Sequence, residues 1–327
     1  MDKAKIIIPS SSANVGLGFD IWCLGLEQPK LQVTYTRTKM GKGVEVEARS
    51  PYQPPSGLSL GHSGKKALEN YLEVLGIDEG AHLLYEDDGY PVGGLGRSGA
   101  EAVGAVMAAS LIYDKLSRDE IIVYSSKGEP GEHKDNVAAS TNGRFNIIAI
   151  SPLTGNPSVH FYDVPENLGI AIGYSSHKKT KGTEGLRQVL KEPVHAEDFI
   201  IQGGLVSAAT AALISGNTNE FLGFVWGDKF HEPRRADVGG YGNFTSSEFY
   251  ELKRKLFEEY HVALNVSGAG PNMQFLYNKD EYVDGIPNVI SHTISQLFNE
   301  MGIKLDIKET GIAKTGAYDY TQQNYKF

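Results

Sequence analysis

The chain of 327 residues contains one cysteine, Cys23, and so has no internal disulfide. Cystine-built secreted scaffolds are excluded, and a reducing, cytoplasmic setting is expected. Positive charge is scarce: 31 Lys and Arg stand against 40 Asp and Glu, a net charge of −9. Nonspecific nucleic-acid binding needs a basic face, so nucleic acid is not an expected partner. Long apolar runs are missing as well. No stretch of about 18 consecutive apolar residues occurs, so no membrane span is expected. The three isoleucines of MDKAKIIIPSSSAN are too few for a secretory h-region. There is no repeat with a period of about 20–50 residues and no low-complexity tract.

What is present is an ordinary globular composition, 40% hydrophobic and 22% charged, in a chain long enough for two domains. Strands are expected at KAKIIIP, LQVTYTR, VEVEA and HLLYE, and helices over 64–76 and 98–113. The second of these helices is apolar nearly all round and rich in Ala and Gly, which predicts close packing. After the strand RFNIIAI, turn residues cluster near 155–170, and the division is placed there, giving domains 1–160 and 161–327. The second half reads as a strand at LGIAIGY, helices near 183–191, 196–215, 246–259 and 286–301, and strands VALNV, MQFLY and KLDIKE. The pattern is α+β, without strict βαβ alternation.

Three segments carry possible chemistry. PVGGLGRSGAEA (91–102) puts Gly93, Gly94, Gly96 and Gly99 before a helix that opens near Ser98. Bare backbone lets N–H groups approach an anion, and the helix N-terminus adds positive potential. The other reading is a tight strand-to-helix turn. A dinucleotide site is disfavoured, because no acid ends a strand about 20 residues on. PSSSANVGLGFD (9–20) is open between a binding segment and a polar loop between edge strands. VSGAGPNMQF (266–275) is open between a binding segment and a β-hairpin.

Taken together and in this order, the three segments resemble the signature motifs of the GHMP kinase superfamily. The resemblance spans about residues 5–310. PSSSANVGLGFD, EHKDNVAAS (132–140), TEGLRQVL (183–190) and HEPRR (231–235) are similar to segments of its homoserine kinase branch. The resemblance implies a two-domain α+β GHMP kinase fold. Its N-terminal domain would be like domain 2 of ribosomal protein S5 and its C-terminal domain ferredoxin-like. It further implies ATP-dependent, Mg²⁺-dependent phosphorylation of a small hydroxylated amino acid, L-homoserine or similar, in threonine biosynthesis. Other possibilities are a GHMP kinase for another small hydroxylated acid and a catalytically silent binding protein of this fold. A decarboxylase of the superfamily would need an aspartate where Asn136 stands. Relatives are often dimers, so a homodimer is possible by analogy.

Residue by residue, the resemblance assigns ATP to Pro91, Gly93, Gly94, Leu95, Gly96, Arg97, Ser98 and Gly99. Mg²⁺ falls to Ser98 and Glu129, with Glu132 a second choice that also reads as a solvated surface acid. The acceptor falls to Asn14, Asp20, His133, Asn136, Arg187, Arg235 and Gly268. Arg187 and Arg235 would grip a carboxylate, because a guanidinium fork matches that group; Arg234 reads as exposed. Asn136 would orient the attacking hydroxyl, and no carboxylate base is expected, since an amide cannot take a proton at neutral pH. Thr183 would bond the γ-phosphate or cap its own helix. The sequence departs from the superfamily at Arg97, where serine is usual, and at Lys134, NGRF (142–145) and GGYGNF (239–244). Arg97 is open between contact with phosphate and pointing to solvent.

Overall fold

The computed structural model describes residues 2–38, 43–52, 59–91, 93–178 and 182–319, with the backbone alone at 183, 184 and 289. The chain forms two compact units. One comprises residues 1–12, 20–161 and 313–327; the other comprises 13–19 and 162–312.

The first unit begins with β1 (Lys3–Ala13) and β2 (Trp22–Thr38), then β3 (Gly43–Arg49), α1 (His62–Val74), β4 (Gly80–Glu86), α2 (Arg97–Ser110), α3 (Arg118–Ser126), α4 (Asp135–Asn142), β5 (Phe145–Ile150) and β6 (Pro157–Tyr162). β2 pairs antiparallel with β4 along Gln32–Thr38 and with β5 along Trp22–Leu24, while β3 runs parallel to β4. The alternating burial of Ile6 and Ile8 gives way to unbroken burial from Ile8 to Ala13. The three serines are therefore a buried strand end, not a surface loop. α2 packs on α1, α3, α4 and β2, and all but one of its 14 residues are buried. Its Ala and Gly content permits this. A Cβ on Gly104 would lie 2.5 Å from the Val33 side chain and 2.7 Å from that of Ile8.

The second unit holds β7 (Leu168–Ser175), α5 (Thr183–Gln188), α6 (Ala196–Ile214), α7 (Thr218–Val225), α8 (His231–Ala236), α9 (Ser246–Tyr260), β8 (Ala263–Val266), β9 (Met273–Asn278), α10 (Asn288–Glu300) and β10 (Leu305–Thr310). Its sheet is antiparallel in the order β10-β7-β9-β8. Tyr241, Phe249, Leu256, Phe275, Ile294 and Phe298 form part of its core. α9 opens with a reciprocal capping box of Thr245 and Glu248. The last strand, β11 (Tyr318–Asp319), returns to pair with β1 in the first unit.

Three features differ from expectation. A single cut near 160 misplaces two segments. Residues 13–19 join the second unit because Asn14, Gly16 and Leu17 bond Gly268, His231 and Gln202. Residues 313–319 join the first, where β11 pairs with β1. Short helices α4, α7 and α8 carry too few turns for periodicity to register. α6 is also long and apolar enough by composition to span a membrane, although its first turn carries Glu197 and Asp198. It exposes Phe199 and Ile200, yet Gln202 ties it to the Leu17 carbonyl and to Asp228.

Candidate active site

In the first unit, the segment between β4 and α2 is built around Arg97. The guanidinium is buried. Its Nη2 donates to Asp87 at 2.8 Å, its Nε to Glu101 at 3.1 Å, and its Nη1 to the Tyr90 carbonyl. Its Cζ sits 5.4 Å from the Tyr90 ring centre. Asp87 also accepts from Ser50 and from the N–H groups of Gly89 and Tyr90. Burial opposes the Asp87 charge, but these donors and Arg97 outweigh it and hold the carboxyl below its usual range. Burial wins at Glu101, which is raised despite Arg97. Arg97 thus meets neither phosphate nor solvent through its side chain, because two buried acids and a carbonyl occupy it. What position 97 presents to an anion is its backbone.

That backbone is arranged for the purpose. Gly93, Gly94 and Gly96 all have positive φ, at 131°, 87° and 67°. Gly96 is the N-cap of α2, and no side chain caps the helix. The first-turn N–H groups at 97, 98 and 99 have no acceptor within the helix. The result is a row of amides at the positive end of a 14-residue helix. The glycines have different causes, however. A Cβ on Gly99 would meet Asn136 Cβ and Val137 N at 3.2 Å, so Gly99 serves the packing of α2 on α4. Tyr90 closes the loop by donating its hydroxyl to the Leu95 carbonyl at 2.5 Å.

Ser98 and Glu129 are brought together, with Oγ donating to Oε2 at 2.9 Å. Glu129 is 6% exposed, and its other oxygen is buried with no hydrogen-bond partner. Burial pushes this carboxyl up to about 8, Asp135 and Glu101 add to the rise, and the Ser98 bond opposes it. A buried carboxyl with one unsatisfied oxygen beside a hydroxyl suits a hard cation. Glu132 is exposed and paired with Lys127 at 2.6 Å, as a surface acid would be. His133 is half-buried, with its imidazole over Gly131. Asn136 lies at the start of α4, where its Oδ1 accepts from Ser11 at 2.9 Å. Arg144 of the NGRF turn donates to the Lys314 carbonyl.

In the second unit, the residues gather around Phe19. Arg235 and Arg187 place their Cζ atoms 5.0 and 5.3 Å from its ring centre. His231 stacks on it at 5.2 Å and Phe230 meets it edge-on at 5.7 Å. His231 and Arg235 are four residues apart on α8 and so share a face. That short helix is anchored by Asp228, which accepts from the N–H groups of His231 and Glu232. A buried Glu232–Lys253 ion pair holds it from the other side. His231 bonds the Gly16 carbonyl at 2.7 Å. Asn14 (φ 72°) and Arg235 both donate to the Gly268 carbonyl, at 2.7 and 3.2 Å. Buried Arg235 keeps its Nε unpaired. Arg187 is half-buried, and Arg234 bonds the Glu192 and Pro193 carbonyls. Asp20, half-buried with φ 58°, lies in the first unit. Gly268 turns between β8 and β9, so the third segment is a hairpin as well. Tyr241, from GGYGNF, packs on Phe249 in the core. The Thr183 side chain lies outside the described residues.

Phe19, His231 and Ser11 lie within the motifs, but the sequence assigns them no role. For His231 the i, i+4 spacing to Arg235 was the available signal. For Phe19 and Ser11, partners more than 100 residues away decide the matter.

Two changes test this reading of the first unit. Arg97→Ser leaves Asp87 and Glu101 buried without their cation. It should cost about 3–5 kcal/mol in urea unfolding; a loss well under 1 kcal/mol would contradict the anchoring role. The folded state also keeps a proton on Glu129 that the unfolded chain releases. Without divalent cations, stability should therefore fall as pH rises from about 4.5 to about 8. Glu129→Gln removes this term, so the variant's melting temperature should gain on the parent's across that range in chelator. An unchanged gap would refute it.

Comparisons with known proteins agree with this geometry. Residues 62–144 match the GHMP kinases N terminal domain. The chain is 27% identical over 290 residues to a homoserine kinase of Methanococcus maripaludis, covering 87% of this chain and 91% of that one. It is 27% identical over 320 residues to a homoserine kinase of Pyrococcus abyssi, covering 96% and 98%. The fold matches the crystal structure of homoserine kinase from Cytophaga hutchinsonii with a TM-score of 0.77, at 22% identity over 98% of each chain. The domain match over residues 62–144, the near full-length relatives and the glycine loop agree in one likeness, to the GHMP kinases.

Proposed function

We propose that this enzyme transfers the γ-phosphoryl group of ATP to the side-chain hydroxyl of L-homoserine, giving O-phospho-L-homoserine and ADP. One observation carries the acceptor class: two guanidiniums, from Arg187 and Arg235, gather on the single ring of Phe19. A cation pair fixed on an aromatic face suits a carboxylate and has no counterpart in recognition of a neutral sugar. The near full-length similarity to homoserine kinases supports the particular amino acid.

ATP would lie with its phosphates against Gly93, Gly94, Leu95, Gly96, Arg97, Ser98 and Gly99, with Pro91 leading into the turn. Arg97 contributes only its backbone there. Mg²⁺ would be held by Glu129 and Ser98 and would supply charge neutralisation on the phosphates. Among the described residues no group of three or more His, Cys, Asp or Glu forms a metal cluster. That fits a cation whose remaining ligands are phosphate oxygens and water. Asn14, Asp20 and His133 would receive the ammonium group, with Gly268 shaping the turn beneath it. Thr183 would approach the γ-phosphate.

In the transfer, the bond from γ-phosphorus to the bridging oxygen breaks as the homoserine hydroxyl oxygen bonds phosphorus. The hydroxyl proton leaves to a phosphate oxygen or to water. Asn136 sits where an aspartate would serve a base mechanism, so this chain contributes orientation rather than proton abstraction.

The deciding experiment is ADP release from Mg·ATP against homoserine, mevalonate, shikimate, pantoate and galactose. Homoserine should give the highest kcat/KM. Arg187→Met should raise the homoserine KM about 30-fold or more while the ATP KM stays within about twofold. Turnover of another acceptor in preference to homoserine, or an Arg187→Met enzyme with an unchanged KM, would overturn the substrate assignment.

A further inference from the structure

Ser11 belongs to the first signature segment, yet phosphate binding and acceptor binding leave it without a task. It is fully buried in β1. Its N–H donates to the Leu95 carbonyl at 3.1 Å, tying the strand to the glycine loop. Its hydroxyl donates to Asn136 Oδ1 at 2.9 Å. The Cys23 thiol approaches the same oxygen at 3.9 Å. Gly96 completes the arrangement. A Cβ there would fall 2.0 Å from Ser11 Oγ and 2.6 Å from Asn136 Oδ1. The third glycine of the loop is thus required by this hydrogen bond as well as by its left-handed backbone.

The consequence concerns the direction of the amide. A carboxamide has one acceptor end and one donor end. Here the acceptor end is turned inward onto two buried donors, and the NH₂ end bonds no described residue. We infer that Ser11 is a positioning residue for phosphoryl transfer: its hydroxyl locks Asn136 so that the carboxamide NH₂ is donated to the reacting hydroxyl oxygen. This rests on the homoserine kinase reading and deepens it. A hydroxyl oxygen that accepts from Asn136 has its proton directed elsewhere, toward a phosphate oxygen or water. Its remaining lone pair is left for phosphorus. Orientation of this kind affects the chemical step more than binding.

A double-mutant cycle on the full-length enzyme tests the assignment. Ser11→Ala should lower kcat for homoserine about 5- to 30-fold, with the ATP KM within about twofold. Asn136→Ala should lower kcat further, and adding Ser11→Ala to it should change kcat by less than about twofold, because the hydroxyl acts only through the amide. Ser10→Ala is the control. It is the adjacent residue, points to the other face of β1, and its buried hydroxyl has no partner. It should leave kcat near the parent's. Equal losses from Ser11→Ala in both backgrounds, or a parental kcat in that variant, would overturn the inference.

An acceptor-independent readout accompanies the cycle. In protein labelled with ¹⁵N-asparagine, the Asn136 NH₂ pair is assigned by its loss in Asn136→Ala. It should shift in Ser11→Ala and stay in place in Ser10→Ala. An unmoved pair in Ser11→Ala sinks the inference whatever the acceptor. A parent enzyme inactive on homoserine sinks the substrate assignment alone.

Discussion

Four glycines in seven positions leave residues 93–99 with almost no side chains by which to hold themselves, and Arg97 carries that burden from inside the loop. A bend that brings amides to an anion must be rigid, or the binding energy is spent on ordering it. The guanidinium is suited to the task because its donors spread in a plane and it stays charged when buried. It takes Asp87, Glu101 and the Tyr90 carbonyl at once, and Tyr90 in turn clasps Leu95. The usual serine at this position would leave two buried acids without a cation. The departure at 97 is therefore coupled to Asp87 and Glu101, and the three residues form one device.

The acceptor side of the machinery uses the opposite strategy. Two of its charges meet over one aromatic face. Phe19 offers one ring to Arg187, Arg235 and His231, which gathers the two guanidiniums on one face. The cost of placing Arg235 in a buried position is offset by the Gly268 carbonyl and His231, and α8 beneath it is fixed by Asp228 and by the Glu232–Lys253 pair.

Periodicity read the long elements well, because burial of one face over several turns or of alternate residues leaves a repeating pattern. α2, α9 and most strands of both sheets were legible for that reason, whereas β6 and β11 were not. The short helices α4, α7 and α8 were not, and α8 carries His231 and Arg235. It is held by Asp228, which takes the N–H groups of its first turn, and by Glu232, whose partner Lys253 no local window contains. The segment of the serines at 10–12 was open between a binding segment and a polar loop, yet β1 buries them, and strand pairing and the loop contacts at 95, 96 and 136 supply the reason.

Which residue types stand in which order was decided by the sequence alone: a glycine-rich bend before a helix, a serine and a glutamate 31 positions apart, two arginines, and an asparagine in place of a base. These are local or compositional facts, and backbone freedom, charge and hydrogen-bonding capacity follow from them directly. Only the tertiary structure decided where each side chain points. It turned Arg97 inward, set Ser98 on Glu129, stacked both guanidiniums on Phe19 and faced the Asn136 carbonyl toward Ser11. Orientation depends on partners distant in the chain, and a buried polar group takes whichever partner the fold brings within reach, because leaving it unpaired costs more than any local preference.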